Sequence, residues 1–324
     1  MQQYRDTNYA AVSAALHARE AHLLTSALSE RMLEAPTAEE SCKILIECGY
    51  PPLEHCTLEE VETLLALSRA ELYREVAVLA PDKRIVEIFR LKYDYHNAKI
   101  ALKAKLTGED VSRLVIDCGR YDASALLRGE RGMLSSRMGR AMAQAEKEAE
   151  GGDIRRAELT LDRACFEEMS ELAGATGNDF LIGYVALQID AIDLRTLVRA
   201  QRMGASDELL SAALLPGGHI PAEQLKTARG DRLAELTRGS ALSAAGELAA
   251  SLTSGSLTAF ERACDDALMQ YLQRARRTAF GPEVIVGYLS AKEAEFTAVR
   301  TILSGKLAGL SAEDIRARLR LSYL

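Results

Sequence analysis

Very little in this sequence interrupts a helix. Seven prolines occur in 324 residues, and none lies between Asp82 and Leu215, so that span is free of the residue most damaging to a helix interior. No alternating apolar–polar stretch reads as a strand. Long hydrophobic runs are also missing: the longest, Phe180 to Leu187, is far short of the ~20 residues a membrane span needs. The opening Met-Gln-Gln-Tyr-Arg-Asp has no basic-then-apolar order, which argues against a signal peptide. Positive charge is in deficit, with a formal net charge of −7. A nucleic-acid or anionic-membrane binder normally needs a basic surface; one candidate for a basic patch is the tail with Arg316, Arg318 and Arg320. The six cysteines, Cys42, Cys48, Cys56, Cys118, Cys165 and Cys264, form no regular framework. In a chain of this size they read as buried thiols of a reducing compartment, and the protein as cytoplasmic.

Catalytic constellations are missing as well. Cys42, Cys48, His55 and Cys56 contain no C-x-x-C pair for zinc. A di-iron bundle wants Glu-x-x-His pairs, whereas His17-Ala-Arg-Glu20 has the reverse order and occurs once. Asp265-Asp266 is followed by Ala-Leu-Met, without the third carboxylate of an aspartate-rich metal motif. Leu215-Pro-Gly-Gly-His-Ile is a turn without the Lys and Ser/Thr of a phosphate loop. His96 and His219 have no neighbouring nucleophile and read as structural. The expectation is a protein with no catalytic residue, no cofactor and no metal.

What the sequence does contain is a triplication. Pro81–Gly108, Gly177–Gly204 and Pro282–Gly309 align without a gap, and self-similarity at a long fixed period marks repeated structural units. Each copy opens on Pro or Gly followed by a polar residue (Asp82, Asn178, Glu283). An acid follows thirteen residues after the start (Asp94, Asp190, Glu295), and a base five residues later (Lys99, Arg195, Arg300). Gly closes each copy, and a helix-capping residue (Asp110, Ser206, Ser311) waits two positions on. Apolar residues recur at helical spacing between these ends, as in Ile85, Ile88, Tyr95, Ala98 and Leu102. The pattern predicts one long helix per copy, about 35 Å at 1.5 Å per residue.

Around these helices the chain reads as three all-α units, 1–112, 113–210 and 211–324. In the first unit, a helix over the first 35 residues ends at Pro36. Thr37 and Thr57 then cap two more helices, the second running to Leu79. The openings of the second and third units share Gly119 with Gly218, Ala123 with Ala222 and Leu126 with Leu225, each 99 apart. Asp162-Arg-Ala-Cys165 matches Glu261-Arg-Ala-Cys264 at the same offset. About six extra residues then precede the third long helix. The short Gly-rich linkers imply packed units, not freely swinging ones.

The acid and base of each long helix lie five residues apart, about 140° round the helix, and cannot pair with each other. Asp190 with Asp193, and Arg195 with Arg199, set like charges on one face. Their partners must lie on other helices or on other chains. Two readings follow: the charges stitch helices within a unit, or they serve a surface that a partner uses.

The motifs Tyr93-Asp94-x-x-Asn97-x-Lys99 and Asp190-x-x-Asp193-Leu-Arg195-x-Leu-x-Arg199-Ala, and the segment from Gly287 to Arg316, resemble the C subunit of the prokaryotic V/A-type ATP synthase. Its eukaryotic counterpart is the d subunit of the vacuolar ATPase. Tyr9 to Leu24 and the Leu215-Pro-Gly-Gly turn are similar too, so the resemblance covers nearly the whole chain. Departures are Ala298, where the family has a polar residue three after the acid, and Ser304 at the second base. The resemblance implies a funnel-like, pseudo-threefold arrangement of three similar helical domains. It also implies a non-catalytic central-stalk rotor part of an ion-transporting ATPase, monomeric when isolated. Such a part sits peripherally on the cytoplasmic face, between the central shaft (the D and F subunits) and the membrane proteolipid ring. On that reading Lys99, Asp94, Asp190, Asp193, Arg195, Glu295 and Arg300 are expected at a partner interface, with Arg195, Arg300 and Lys99 foremost. The repeat by itself would equally allow a soluble helical scaffold of another assembly; an all-α enzyme is the more distant alternative.

Overall fold

The computed structural model describes residues 5–252 and 257–324. It is 74% helix, and no strand occurs among the described residues. The fold is all-α. In chain order the first helices are α1 (Ala10–Glu20), α2 (Ser26–Glu34), α3 (Ala38–Ile44), α4 (Leu58–Leu79) and α5 (Lys83–Thr107). Then come α6 (Ala123–Leu127), α7 (Ser136–Glu150), α8 (Ile154–Thr176), α9 (Asp179–Met203), α10 (Asp207–Ala213) and α11 (Ala222–Thr227). The last are α12 (Asp231–Thr237), α13 (Ser243–Ser251), α14 (Thr258–Gln273), α15 (Pro282–Leu307) and α16 (Ala312–Arg316).

The three long helices read from the sequence are α5, α9 and α15. Asp82 accepts from Arg84 N at 3.1 Å and Asn178 from Leu181 N at 2.9 Å, satisfying donors that the first helical turn leaves free. In α15, Glu283 lies inside the first turn and Pro282 opens the helix, where its missing N–H costs nothing. Gly108, Gly204 and Gly309 stand at φ 70°, 62° and 72°, the left-handed conformation that ends a helix. Thr37 and Thr57 cap α3 and α4 as their spacing indicates.

The chain divides into two compact units. One spans Asp82–Glu261. Its core is the packing of α5 on α8 and α6, of the α7–α8 hairpin, and of α9 on α8, α10 and α11. Ile85, Ile88, Leu91, Leu161, Leu181, Ile189 and Leu194 are fully buried there, each contributing ~1.5–3 kcal/mol by leaving water. The Phe89 and Tyr184 rings stack with centroids 6.0 Å apart. The other unit combines the segment ending at Pro81 with Arg262–Leu324. There α15 packs on α1, α2, α3, α4 and α16 and is largely buried from Val284 to Leu303, with Thr297 and Arg300 left exposed. Gly287 lets Tyr323, from the C-terminal tail, lie against the helix backbone.

Two expectations need correcting. The helix expected over the first 35 residues is broken at Ala21–Thr25: Leu24 N donates to Glu295 Oε2 at 2.8 Å, and Thr25 caps α2. A backbone N–H spent on a distant carboxylate is not available to a continuous helix. Second, the cysteines are not all thiols. Cys42 of α3 and Cys56, just before α4, are joined in a disulfide with Cα atoms 6.7 Å apart. Cys48, Cys118, Cys165 and Cys264 are free and buried. The six extra residues before α15 become a 3-10 turn, Arg274–Arg277, and the bend to Gly281, with His17 Nε2 3.2 Å from Thr278 O.

A Cβ on Gly287 would lie 2.5 Å from Tyr323 Oη and 2.9 Å from Ala275 Cβ. Gly287→Ala should therefore lower the unfolding free energy by about 1–3 kcal/mol. Gly139→Ala, in α7 with open space around it, should be neutral or slightly stabilising. Urea unfolding of both variants beside the parent chain checks the contrast.

Candidate functional site: the charged positions of three long helices

The acids of the long helices are buried, and each takes backbone N–H groups from a loop. Asp94 is fully buried; its Oδ1 accepts from Arg120 N at 2.7 Å and Tyr121 N at 3.3 Å, and its Oδ2 from Arg120 Nε at 2.7 Å. Asp190 Oδ1 accepts from Ile220 N at 2.9 Å; its Oδ2 lies 3.1 Å from His219 N and 2.9 Å from His219 Nδ1. The donors of the two clamps, 120 and 121 against 219 and 220, keep the sequence offset of 99. Gly119 and Gly218 now have a physical reason: a Cβ on either would fall on the Oδ1 of Asp94 or of Asp190. Only glycine lets the loop come close enough to donate.

The polar residue one turn further along repeats the scheme. Asn97 Nδ2 donates to Ile116 O at 2.8 Å, and Asn97 Oδ1 accepts from Ile116 N at 3.0 Å. Asp193 accepts from Leu215 N at 2.9 Å, again 99 residues on. Burial pushes the Asp193 carboxyl up to about 7, with the charge of Asp190 adding to the effect. In the third long helix the residue at this position is Ala298, and other groups serve the acid. Glu295 takes Leu24 N and Tyr50 Oη, the latter at 2.5 Å, and pairs with Lys292 one turn before it. Burial and the Glu295 charge both push the Tyr50 phenol up, so it stays a neutral donor.

A second tier surrounds Asp94. Arg120 Nη2 donates to Glu168 Oε1 at 3.0 Å, and Tyr95 Oη to Glu168 Oε2 at 2.8 Å. Burial pushes the Asp94 carboxyl up, while Arg120 and the two backbone donors act against it. Burial also pulls the Arg120 guanidinium down, but its bonds to Asp94 outweigh that and hold it above its ordinary value. Arg120 is a cation between two buried acids.

The bases lie nearer the surface. Lys99 pairs with Asp162 of α8. Arg195 Nη2 donates to Glu261 O at 3.2 Å, and Arg199 Nη2 to Glu261 Oε1 at 2.5 Å. Arg300 pairs with Glu62 of α4, both side chains well exposed. Asp162 and Glu261 are the matched acids of the Asp-Arg-Ala-Cys and Glu-Arg-Ala-Cys motifs. Of the seven charged positions expected at a partner interface, Asp94, Asp190, Asp193 and Glu295 are thus buried and bonded within their own unit. Lys99 and Arg195 are half-buried and Arg300 exposed. The sequence reading missed Arg120, Glu168, Tyr50 and Lys292. Only Gly119, beside Arg120, signalled one of those partners; Glu168, Tyr50 and Lys292 had no such marker.

Among the described residues no three His, Cys, Asp or Glu side chains are grouped to hold a metal ion. None of the described helices is long and apolar enough to cross a membrane. The family model for the ATP synthase (C/AC39) subunit matches residues 12–318. The chain belongs to that family. It is 24% identical to the C subunit of the V-type sodium ATPase of Enterococcus hirae, over 95% of this chain and 97% of that one. The C subunit of the A-type ATP synthase of Methanocaldococcus jannaschii is 26% identical, over 96% of this chain and 86% of its own. The C subunit of the V-type ATP synthase of Thermus thermophilus is 24% identical, over 93% and 94%. The family match embraces all three long helices and the loops that clamp them, so the charged scheme lies inside the matched body of an ATP synthase subunit.

Removing one partner of a buried pair leaves the other charge uncompensated. Arg120→Ala should therefore cost about 3–5 kcal/mol, whereas Arg300→Ala, losing an exposed pair, should cost under about 1 kcal/mol. Denaturant unfolding at pH 7 separates them.

Proposed function

We propose that the chain is a non-catalytic central-stalk component of a V/A-type ATPase or ATP synthase, joining the D–F shaft to the membrane proteolipid ring for ion transport. The observation that carries this reading is the family match over residues 12–318, with relatives of that family aligned along nearly their whole length. The chemistry is compatible. The ionisable groups of the long helices are spent on holding loops and neighbouring helices, which suits a part that transmits torque as a rigid body. A peripheral position on the cytoplasmic face and a three-copy, pseudo-threefold organisation (1–112, 113–210, 211–324) belong to the same proposal. The recurrence of one clamp, with its acids 96 and its loop donors 99 residues apart, supports the latter.

Within this reading the buried acids keep the frame, and partner contact falls to the bases Lys99, Arg195 and Arg300. Ion pairs open to solvent contribute little to stability, so the pair of exposed Arg300 is cheap to exchange for a partner's acid, and that of half-buried Lys99 less so. A buried carboxylate holding backbone N–H groups is not.

Mixing the purified chain with the D–F shaft, and separately with the detergent-solubilised ring, tests the assignment by size-exclusion chromatography. A stable complex is expected with each; a folded chain that binds neither would overturn it, as would ATP hydrolysis by the chain alone. Arg195→Ala should melt within a few degrees of the parent chain and bind shaft or ring at least about tenfold more weakly, a loss of ~1.4 kcal/mol. A strongly destabilised variant returns Arg195 to the core.

A further inference from the structure

The first and second clamps differ at the polar residue one turn beyond the acid. In the first, Asn97 makes two bonds to residue 116, accepting from its N–H and donating to its carbonyl. In the second, the matching residue is Asp193, whose partner Leu215 supplies an N–H at 2.9 Å. A carboxylate has no hydrogen to return to the Leu215 carbonyl. Asp193 is only 1% exposed, and one turn before it on α9 stands a second buried acid, Asp190. Asp190 is already engaged: two backbone N–H groups donate to it and a His219 ring nitrogen lies within hydrogen-bond distance. Two carboxylates so placed, in a site that excludes water, cannot both ionise cheaply.

No charged group pairs with Asp193 among the described residues, and the nearby Arg163 offsets its burial only in part. From α8, Arg163 faces the site, but its guanidinium is held on the carbonyls of Ser211, Ala212 and Leu214 at 3.5, 3.3 and 2.8 Å. From the loop, His219 is taken by Asp190. On α10 and α11, Asp207, Glu208 and Glu223 are exposed and Lys226 half-buried, and none is paired with Asp193 among the described residues. On α9 itself, Arg195 turns to Glu261. By contrast, Asp94 has Arg120 and Glu295 has Lys292.

We propose that Asp193 is a proton-binding site: in the folded chain its carboxyl holds a proton and donates it to the Leu215 carbonyl, reproducing the bond that Asn97 makes to Ile116. The proton changes how firmly the loop Leu215–Ile220 is held. Protonated, Asp193 grips residue 215 through both its N–H and its C=O. Ionised, it keeps one bond and repels Asp190. Burial raises the carboxyl to about 7, so loading and release fall near neutrality. The folded chain then holds a proton that the unfolded chain, with an aspartate near 3.9, has released. The resulting stabilisation is complete below the unfolded value, declines as pH rises toward 7, and is gone above it.

Carbon-13 labelling of aspartate carboxyls in the full chain, with Asp193 assigned by its loss in Asp193→Asn, gives the titration directly. A midpoint within a unit of neutral is expected; one below about 5 overturns the proposal. Asn carries the second donor at every pH. The melting temperature of Asp193→Asn relative to the parent should therefore rise by several degrees between pH 5 and pH 8. A difference that stays constant, or falls, also overturns it. If Asp193→Asn does not fold, the converse variant decides. Asn97→Asp should acquire a fall in melting temperature between pH 5 and 8 beyond that of the parent, and an unchanged pH profile counts against the proposal.

Discussion

The structure depends on carboxylates buried in the middle of long helices and turned toward backbone N–H groups of loops. A loop donor removed from water without an acceptor costs about 1–3 kcal/mol, and a carboxylate without donors costs more. Asp94, Asp190 and Glu295 settle both costs in one contact. Because the acceptor stands mid-helix, the loop is fixed to the most rigid part of its unit and not to a fraying end.

That constraint explains features distant in the sequence. Glycine stands at 119 and 218 because the loop backbone approaches the acid too closely for any Cβ. The third clamp uses the longer glutamate, and a phenol and an ammonium join its one backbone donor. The break between α1 and α2 follows from the same clamp, since Leu24 N is committed to Glu295. Each base, in turn, ties its long helix to a neighbouring segment, α5 to α8, α9 to Glu261 and α15 to α4.

The all-α class and the ends of the long helices were legible in the sequence because they rest on local chemistry. Proline spacing, capping side chains and closing glycines act within a few residues. The acid at thirteen and the base at eighteen residues from each start were visible as a pattern, but not their use. Whether a charge faces solvent or a loop depends on what packs over it, and Arg120 and Tyr50 are separated from the acids they serve, as Glu168 is from Arg120, by intervening chain. The Cys42–Cys56 bond escaped for a related reason: pairing depends on where α3 sets its Cys42 against the approach to α4, not on spacing.

The third clamp also bears on how the chain is made. Leu24 waits for an acid 271 residues downstream, and the unit it belongs to is completed only by the last part of the chain. At about 5–20 residues per second on the ribosome, roughly a quarter of a minute to a minute passes between synthesis of the two halves of that bond. Through that interval α1, α2, α3 and α4 lack the α15 surface on which they pack in the finished unit. The intervening Asp82–Glu261 unit has its own core and can close first. The newborn N-terminal segment is therefore the part of this chain most in need of protection by a chaperone.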